Sequence, residues 1–297
     1  MQTLINLSYS RHSFVKATLK IQDVIRNGYF MIDTGASSTI LNSHFFRNQK
    51  FMGMSENERV VNTSAGTSVM VERNIEGTIE IGDIAFNEMF NMQEPAGPML
   101  TDDDMNILGI LGIDFLVNNH MVIDYEHNNL HTADEEDLEY ARHYSTVSQF
   151  IYGLNHYGVP TIGINNNETD SVMLAILDTG SNINIICDSA RERFGFKSKE
   201  IITEEKSIFY GVHADCESRK CIMDYGLMCQ RDEKILYPHM SSEFDVDSNT
   251  SAFIAEEGEY PVEGIIGNDY LMENKCIINC ATGYVYSREW EKVQVAS

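Results

Sequence analysis

The sequence predicts a mainly β chain built from two homologous halves related by pseudo-two-fold symmetry, with few short helices. Three observations carry this. The tripeptide Asp-Thr-Gly occurs twice, each time directly after a short apolar run: YFMIDTGAS at Tyr29–Ser37 and LAILDTGSN at Leu174–Asn182. The two copies lie 145 residues apart, about half of the 297-residue chain. After each copy further landmarks recur in the same order, separated by short alternating or β-branched runs that Gly, Asn or Asp bounds.

A glycine in a turn-like stretch follows each tripeptide at the same offset: Gly66 in NTSAGTS and Gly211 in IFYGVHAD. Next comes a doubly hydrophobic glycine motif, ILGIDFL at Ile110–Leu116 and IIGNDYL at Ile265–Leu271. At a common distance beyond it, a short apolar strand ends in Asp124 (MVID) or Asn279 (CIIN). Local signals add a short helix over SARERF with Asp188 as N-cap and Gly195 as stop, and turns over FLVNN and YLMEN capped by Asp114 and Asp269. Residues 131–149 read as a charged connector, helical in part, and 241–261 as a polar surface loop. The halves are expected to be residues 1–140 and 141–297. The N-terminal QTLINL and the C-terminal GYVYS or KVQVA should join strands near 128–132 and 145–152 in a sheet shared by both halves.

Composition narrows the function classes. Forty-five acidic against 21 basic residues give a formal charge of -24, which repels a phosphate backbone and argues against nucleic-acid binding. Mean hydropathy is -0.25, and the apolar run Ile107–Ile113 is too short to span a bilayer, so no membrane association is expected. All six cysteines (187, 216, 221, 229, 276 and 280) lie in the second half, with no Cys-x-x-Cys pair. They read as packed, reduced thiols, not as a disulfide framework or a metal site, and no metal or other cofactor is expected. With no export leader visible, a cytoplasmic location is expected. Among the nine histidines no catalytic or metal-binding spacing stands out, and His213 reads as a surface residue.

The two tripeptides are where chemistry is expected. Asp, Thr and Gly all suit a plain turn. Here, however, each aspartate follows a buried-looking strand and precedes another apolar run, TIL or INII, which forces a carboxylate into an apolar site where it needs a partner or a task. Two such loops meeting at a pseudo-two-fold axis bring Asp33 and Asp178 together. Like charges that close share one proton. The ionised member can take a proton from water, and the protonated member can donate to a carbonyl and stabilise the oxyanion. Thr34 and Thr179 are placed to hydrogen-bond across to the opposite loop. Gly35 and Gly180 permit the tight turn. Ala36 and Ser181 complete the two loops. A Ser181 hydroxyl donating to Asp178 would leave Asp33 as the usual proton carrier.

DTGSNINIICDSARERFGF, ILGIDFL and IIGNDYL resemble the motifs of the retropepsin-like aspartic peptidases, the clan of retroviral, retroelement and pepsin-like proteases. The resemblance covers most of the chain, twice over. It implies two acid-protease β-barrel halves in one chain, a catalytic pair Asp33 and Asp178, and flap tips with substrate-binding residues at Ser64, Ala65 and Gly66 and at Tyr210, Gly211 and Val212. It implies an aspartic endopeptidase acting on peptide or protein substrates. Two halves in place of two subunits make a monomer sufficient. Viral members pair an Asp shortly after the tripeptide with an Arg after the later glycine. Here those positions read Ser37 or Asn182, and Ile113 or Asn268. The alternative from another class is a catalytically silent peptide-binding module using the same cleft, against which stand two intact tripeptides.

Overall fold

The computed structural model describes residues 2–7, 12–46, 48–63, 66–93, 106–133, 144, 147–152, 158–166, 171–201, 207–210, 215–231, 234–237, 239–247 and 261–291. In the first half the strands are β1 (Gln2–Leu7), β2 (Ser13–Ile21), β3 (Val24–Ile32), β4 (Ile40–Asn42), β5 (Ser55–Thr63), β6 (Gly66–Ile81), β7 (Ile84–Gln93), β8 (Ile107–Leu111), β9 (Met121–Asp124) and β10 (Asn129–Thr132). The second half has β11 (Val147–Gln149), β12 (Thr161–Asn165), β13 (Met173–Asp178), β14 (Asn184–Cys187), β15 (Ser198–Ile201), β16 (Ser207–Tyr210), β17 (Asp215–Leu227), β18 (Cys229–Arg231), β19 (Lys234–Leu236), β20 (His239–Asp247), β21 (Val262–Gly267), β22 (Ile277–Asn279) and β23 (Tyr284–Tyr286). Helices among the described residues are single short pieces, the longest of six residues.

Each half closes a six-stranded ring. The first runs β2–β3–β8–β4–β7–β6 and returns to β2 through Ala17↔Ile81 and Lys20↔Thr78. The second runs β12–β13–β21–β14–β20–β17 and returns to β12 through Ile164↔Leu227. Alternation in the sequence explains why these segments form walls: in SFVKATLKI the side chains of Val15, Ala17, Leu19 and Ile21 point inward and are buried. Burying each large aliphatic chain of this kind stabilises by roughly 1.5–3 kcal/mol. The equivalence of the rings reaches the irregularities. Each has a parallel pair, β3–β8 or β13–β21, with a register shift at Tyr29/Phe30 or at Leu174/Ala175.

A third sheet joins the halves in the order β11–β23–β22–β9–β10–β1. Its centre is the antiparallel pair β9–β22, where Ile123 faces Ile278, residues that stand at the same offset from their glycine motifs. The pseudo-two-fold axis therefore passes through this pair. The expected pairings of QTLINL with the segment near 128–132 and of GYVYS with that near 145–152 are found, as β1–β10 and β11–β23. KVQVA lies outside the described residues. One continuous apolar core, from Ile5 to Trp290, fills both rings and the space between them. The architecture is thus mainly β, with two homologous barrel halves.

Several local expectations are corrected. The stretch 131–149, read as a connector, begins in β10 and ends in β11, in line with the strands expected near 128–132 and 145–152. Residues 134–143, with the expected boundary near 140, lie outside the described residues. The stretch 241–261 begins as β20, whose Phe244 and Val246 are buried. Asp188 is the first helical residue and not the cap, which is Cys187. It pairs with Arg191 at 2.9 Å and with Arg219. Asp114 and Asp269 likewise fall inside their first turns, capped by Gly112 and Gly267. Gly195, with φ +64°, ends the helix as expected.

Candidate active site

The strands β3 and β13 leave the two rings side by side, and their last residues lead into the Asp-Thr-Gly loops. Thr34 and Thr179 are wholly buried where the loops meet. The Thr34 hydroxyl accepts the Thr179 N–H at 3.0 Å and donates to the Leu177 carbonyl at 2.6 Å. Reciprocally, the Thr179 hydroxyl accepts the Thr34 N–H at 3.0 Å and donates to the Ile32 carbonyl at 2.9 Å. Four hydrogen bonds thus cross the axis and satisfy backbone groups that would otherwise be orphaned in the interior.

This lock fixes the carboxyls. Asp33 Oδ1 accepts the N–H groups of Gly35 and Ala36, both at 2.9 Å. Asp178 Oδ1 accepts those of Gly180 at 2.8 Å and Ser181 at 3.0 Å. The two carboxyls also hydrogen-bond each other. Gly35 packs against the carboxyl of Asp178 and Gly180 against that of Asp33, so closely that a Cβ on either would overlap the opposite carboxyl. That contact, and not loop flexibility, requires glycine here.

Burial raises the pKa of both aspartates. The neighbouring Asp178 charge raises Asp33 further, and the backbone N–H donors pull the other way. Two carboxyls so placed hold one proton between them over a wide pH range, and this is a property of the pair. The arrangement offers a base and an acid on adjacent oxygens, with only a partly exposed edge.

Behind each loop the glycine motifs act alike. The Ile113 N–H donates to the Ala36 carbonyl at 2.8 Å, and the Asn268 N–H to the Ser181 carbonyl at 2.6 Å. Gly112 N–H is held by the Thr39 hydroxyl at 3.1 Å, and Gly267 N–H by the Asn184 side chain at 2.9 Å. Thr39 is fixed in turn by Asp114, at 2.7 Å through its hydroxyl.

The structure brings together Asp33, Thr34, Gly35 and Ala36 with Asp178, Thr179, Gly180 and Ser181. One expected detail is overturned. The Ser181 hydroxyl donates to the Ile183 carbonyl at 2.8 Å, so only its backbone N–H serves Asp178. The carbonyl two residues on competes for the single hydroxyl proton, as short serine side chains in loops favour. Of the expected flap residues, Ser64, Ala65, Gly211 and Val212 lie outside the described residues. Gly66 opens β6 opposite Thr63, and Tyr210 closes β16 opposite Asp215, so each stands at the end of its antiparallel strand pair nearest the connecting residues.

Sequence reasoning missed the polar residues that press on the second loop from the first half. His12 is buried and hydrogen-bonds the Gly180 backbone carbonyl. Buried Ser13 bonds the Tyr125 hydroxyl at 3.2 Å and accepts from the Asn268 amide at 3.1 Å. Burial lowers the His12 pKa, opposed by the Gly180 bond and by the charge of Asp269. The signal available in the sequence was Asn268, polar where the matching Ile113 is apolar. Five cysteine side chains described are buried thiols, and burial pushes Cys280 up to about 12.

Comparison with known proteins agrees with this geometry. Residues 18–118 match the family model of the gag-polyprotein putative aspartyl protease. The matched stretch lies within the first half, whose ring and tripeptide the second half repeats. Among solved structures, the aspartic proteinase from Irpex lacteus superposes with a TM-score of 0.53 at 12% identity, covering 99% of each chain. The chain as a whole thus has the two-lobed fold of that proteinase. No curated protein matches the sequence.

Proposed function

We propose that the chain is an aspartic endopeptidase with one active site per chain, formed by Asp33 and Asp178. The observation that carries this reading is the pair itself: two adjacent carboxyls on a pseudo-two-fold axis, each packed on the opposite loop's glycine, supplied with two backbone N–H donors and locked by crossed threonines. The ionised carboxylate removes a proton from a water molecule as the water oxygen attacks the peptide carbonyl carbon. The protonated carboxyl gives its proton to the carbonyl oxygen, leaving a neutral tetrahedral diol. Collapse returns a proton to the amide nitrogen, the C–N bond breaks, and an acid and an amine leave. The two backbone donors on each Asp keep the inner oxygens fixed, so the outer edges do the transfers.

In this reading the substrate lies extended between the hairpins that end at residues 63–66 and 210–215, with Ser64, Ala65, Gly66, Tyr210, Gly211 and Val212 as binding residues. Main-chain hydrogen bonds would supply affinity and alternating pockets selectivity. The monomer suffices because both halves of the dyad are in one chain, and the buried thiols suit a reducing, cytosol-like compartment. A silent peptide-binding module is disfavoured, since two neighbouring carboxyls whose pKa values burial raises cost stability and binding alone does not need them. The test is cleavage of a peptide library across pH by the wild type, Asp33→Asn and Asp178→Asn. Cleavage by the wild type with a bell-shaped profile and none by either variant is expected. Substantial turnover in either variant overturns the one-dyad reading.

A further inference from the structure

The two catalytic loops are alike in their own residues but not in what the opposite half presses against them. In the first half, Phe14 of β2 faces Met31, two residues before Asp33. In the second half, Thr161 of β12 faces Ile176, two residues before Asp178. By this register His12 and Ser13 correspond to Val159 and Pro160. Val159 is as buried as His12 but carries nothing that can donate. Likewise Asn268, which reaches Ser13 at 3.1 Å, corresponds to the apolar Ile113. A buried polar chain, Tyr125–Ser13–Asn268 together with His12, therefore grips the Gly180–Ser181 segment and has no counterpart at Gly35–Ala36.

The bonds share one peptide group. His12 donates to the Gly180 carbonyl, and the N–H of that same peptide, carried by Ser181, donates to Asp178 Oδ1 at 3.0 Å. A donor on an amide oxygen draws charge through the amide and makes its N–H a stronger donor, so the two bonds reinforce each other. The next carbonyl, that of Ser181, accepts the Asn268 N–H at 2.6 Å as the Ala36 carbonyl accepts the Ile113 N–H at 2.8 Å, so that bond is common to both loops.

Building on the dyad reading, we propose that His12 is a positioning residue that makes the pair unequal: acting through the Gly180–Ser181 peptide, it favours Asp178 as the ionised, water-activating member and leaves the shared proton on Asp33. The asymmetry once assigned to the Ser181 hydroxyl thus arises on the other side of the loop. The charged or titratable groups that bear on this arrangement are Asp269 beside His12, and Tyr125 beside Asp178. Neither is conjugated to the Asp178 donors as His12 is.

Ionised Asp178 is present in the singly protonated pair and absent from the doubly protonated pair, so losing the His12 donor raises the acidic limb. The basic limb separates two forms that both contain ionised Asp178, so it stays. A bond of ordinary strength acting through a peptide moves the acidic limb by about half a unit at most.

The test compares wild type with His12→Leu, which cannot donate, and with His12→Asn and His12→Gln, which donate without titrating. Two readouts are taken: carbon-13 NMR titration of the Asp33 and Asp178 carboxyls, and the pH dependence of kcat and KM. Expected are an upward shift of the Asp178 titration in His12→Leu, a kcat loss of up to about threefold on the acidic limb with KM little changed, and recovery of both in whichever amide variant reaches Gly180. Unchanged carboxyl titrations in His12→Leu, or an equal shift in all three variants, overturn the proposal. The NMR arm needs no turnover. An inactive wild type with the shift present would therefore sink the peptidase reading and leave this inference standing.

Discussion

Replacing Thr34 with valine removes one hydroxyl and almost no volume, and it tests whether the crossed threonines hold the halves together. The hydroxyl serves two buried backbone groups, the Thr179 N–H and the Leu177 carbonyl. Valine leaves both unpaired in a site with no exposed surface. Each orphaned buried group costs about 1–3 kcal/mol, so the sum is about 2–6 kcal/mol. Against a total stability of roughly 5–15 kcal/mol that is a large fraction. Thr34→Ser keeps the hydroxyl and loses one methyl, at about 1 kcal/mol. Urea denaturation of the three proteins gives the comparison, with the slope expected to stay constant if only native stability changes. Valine and serine variants within about 0.5 kcal/mol of each other would refute the claim that these bonds are the lock.

Further outcomes follow from the same geometry. Gly35→Ala and Gly180→Ala should each cut kcat/KM by about a hundredfold or more, since the new Cβ displaces the opposite carboxyl and small misplacements are costly in catalysis; steady-state assays on folded variants check this. Asp33→Asn should stabilise the protein at neutral pH by about 0.5–2 kcal/mol. The sign comes from the raised folded pKa values: the folded state binds the extra proton more tightly, so stability is fully present below the unfolded value of roughly 4 and is lost as pH rises through the folded range. The gain in Tm for the variant should therefore shrink towards pH 4. Ser181→Ala should leave the acidic limb of the rate profile in place, while unpairing the Ile183 carbonyl lowers stability by about 1 kcal/mol in denaturant titrations.

Much of this was legible because duplication writes the same constraint twice. The repeated tripeptide gave the axis, and the repeated glycine motif gave the strand behind each loop, since both depend on short local patterns. The pairing of chain ends with β10 and β11 was legible from alternation in QTLINL and GYVYS. What escaped was set by register over long distances. Nothing local to His12 or Ser13 says that they face the second loop; only their long-range contacts with Gly180 and Asn268 do. The direction of the Ser181 hydroxyl was likewise decided by a competing carbonyl two residues away. The start of β20 was hidden by its acidic residues, because Asp245 is buried in a stretch that reads as a solvated loop.

The central claim is one dyad per chain, and its most direct measurement is a stoichiometric titration. A peptide analogue with a tetrahedral hydroxyl in place of the scissile carbonyl is titrated into the protein by calorimetry, at a concentration where sedimentation shows its association state. The account predicts one analogue bound per chain by a monomer, with binding lost in both Asp33→Asn and Asp178→Asn. One analogue per two chains, or binding undiminished in either variant, would contradict it.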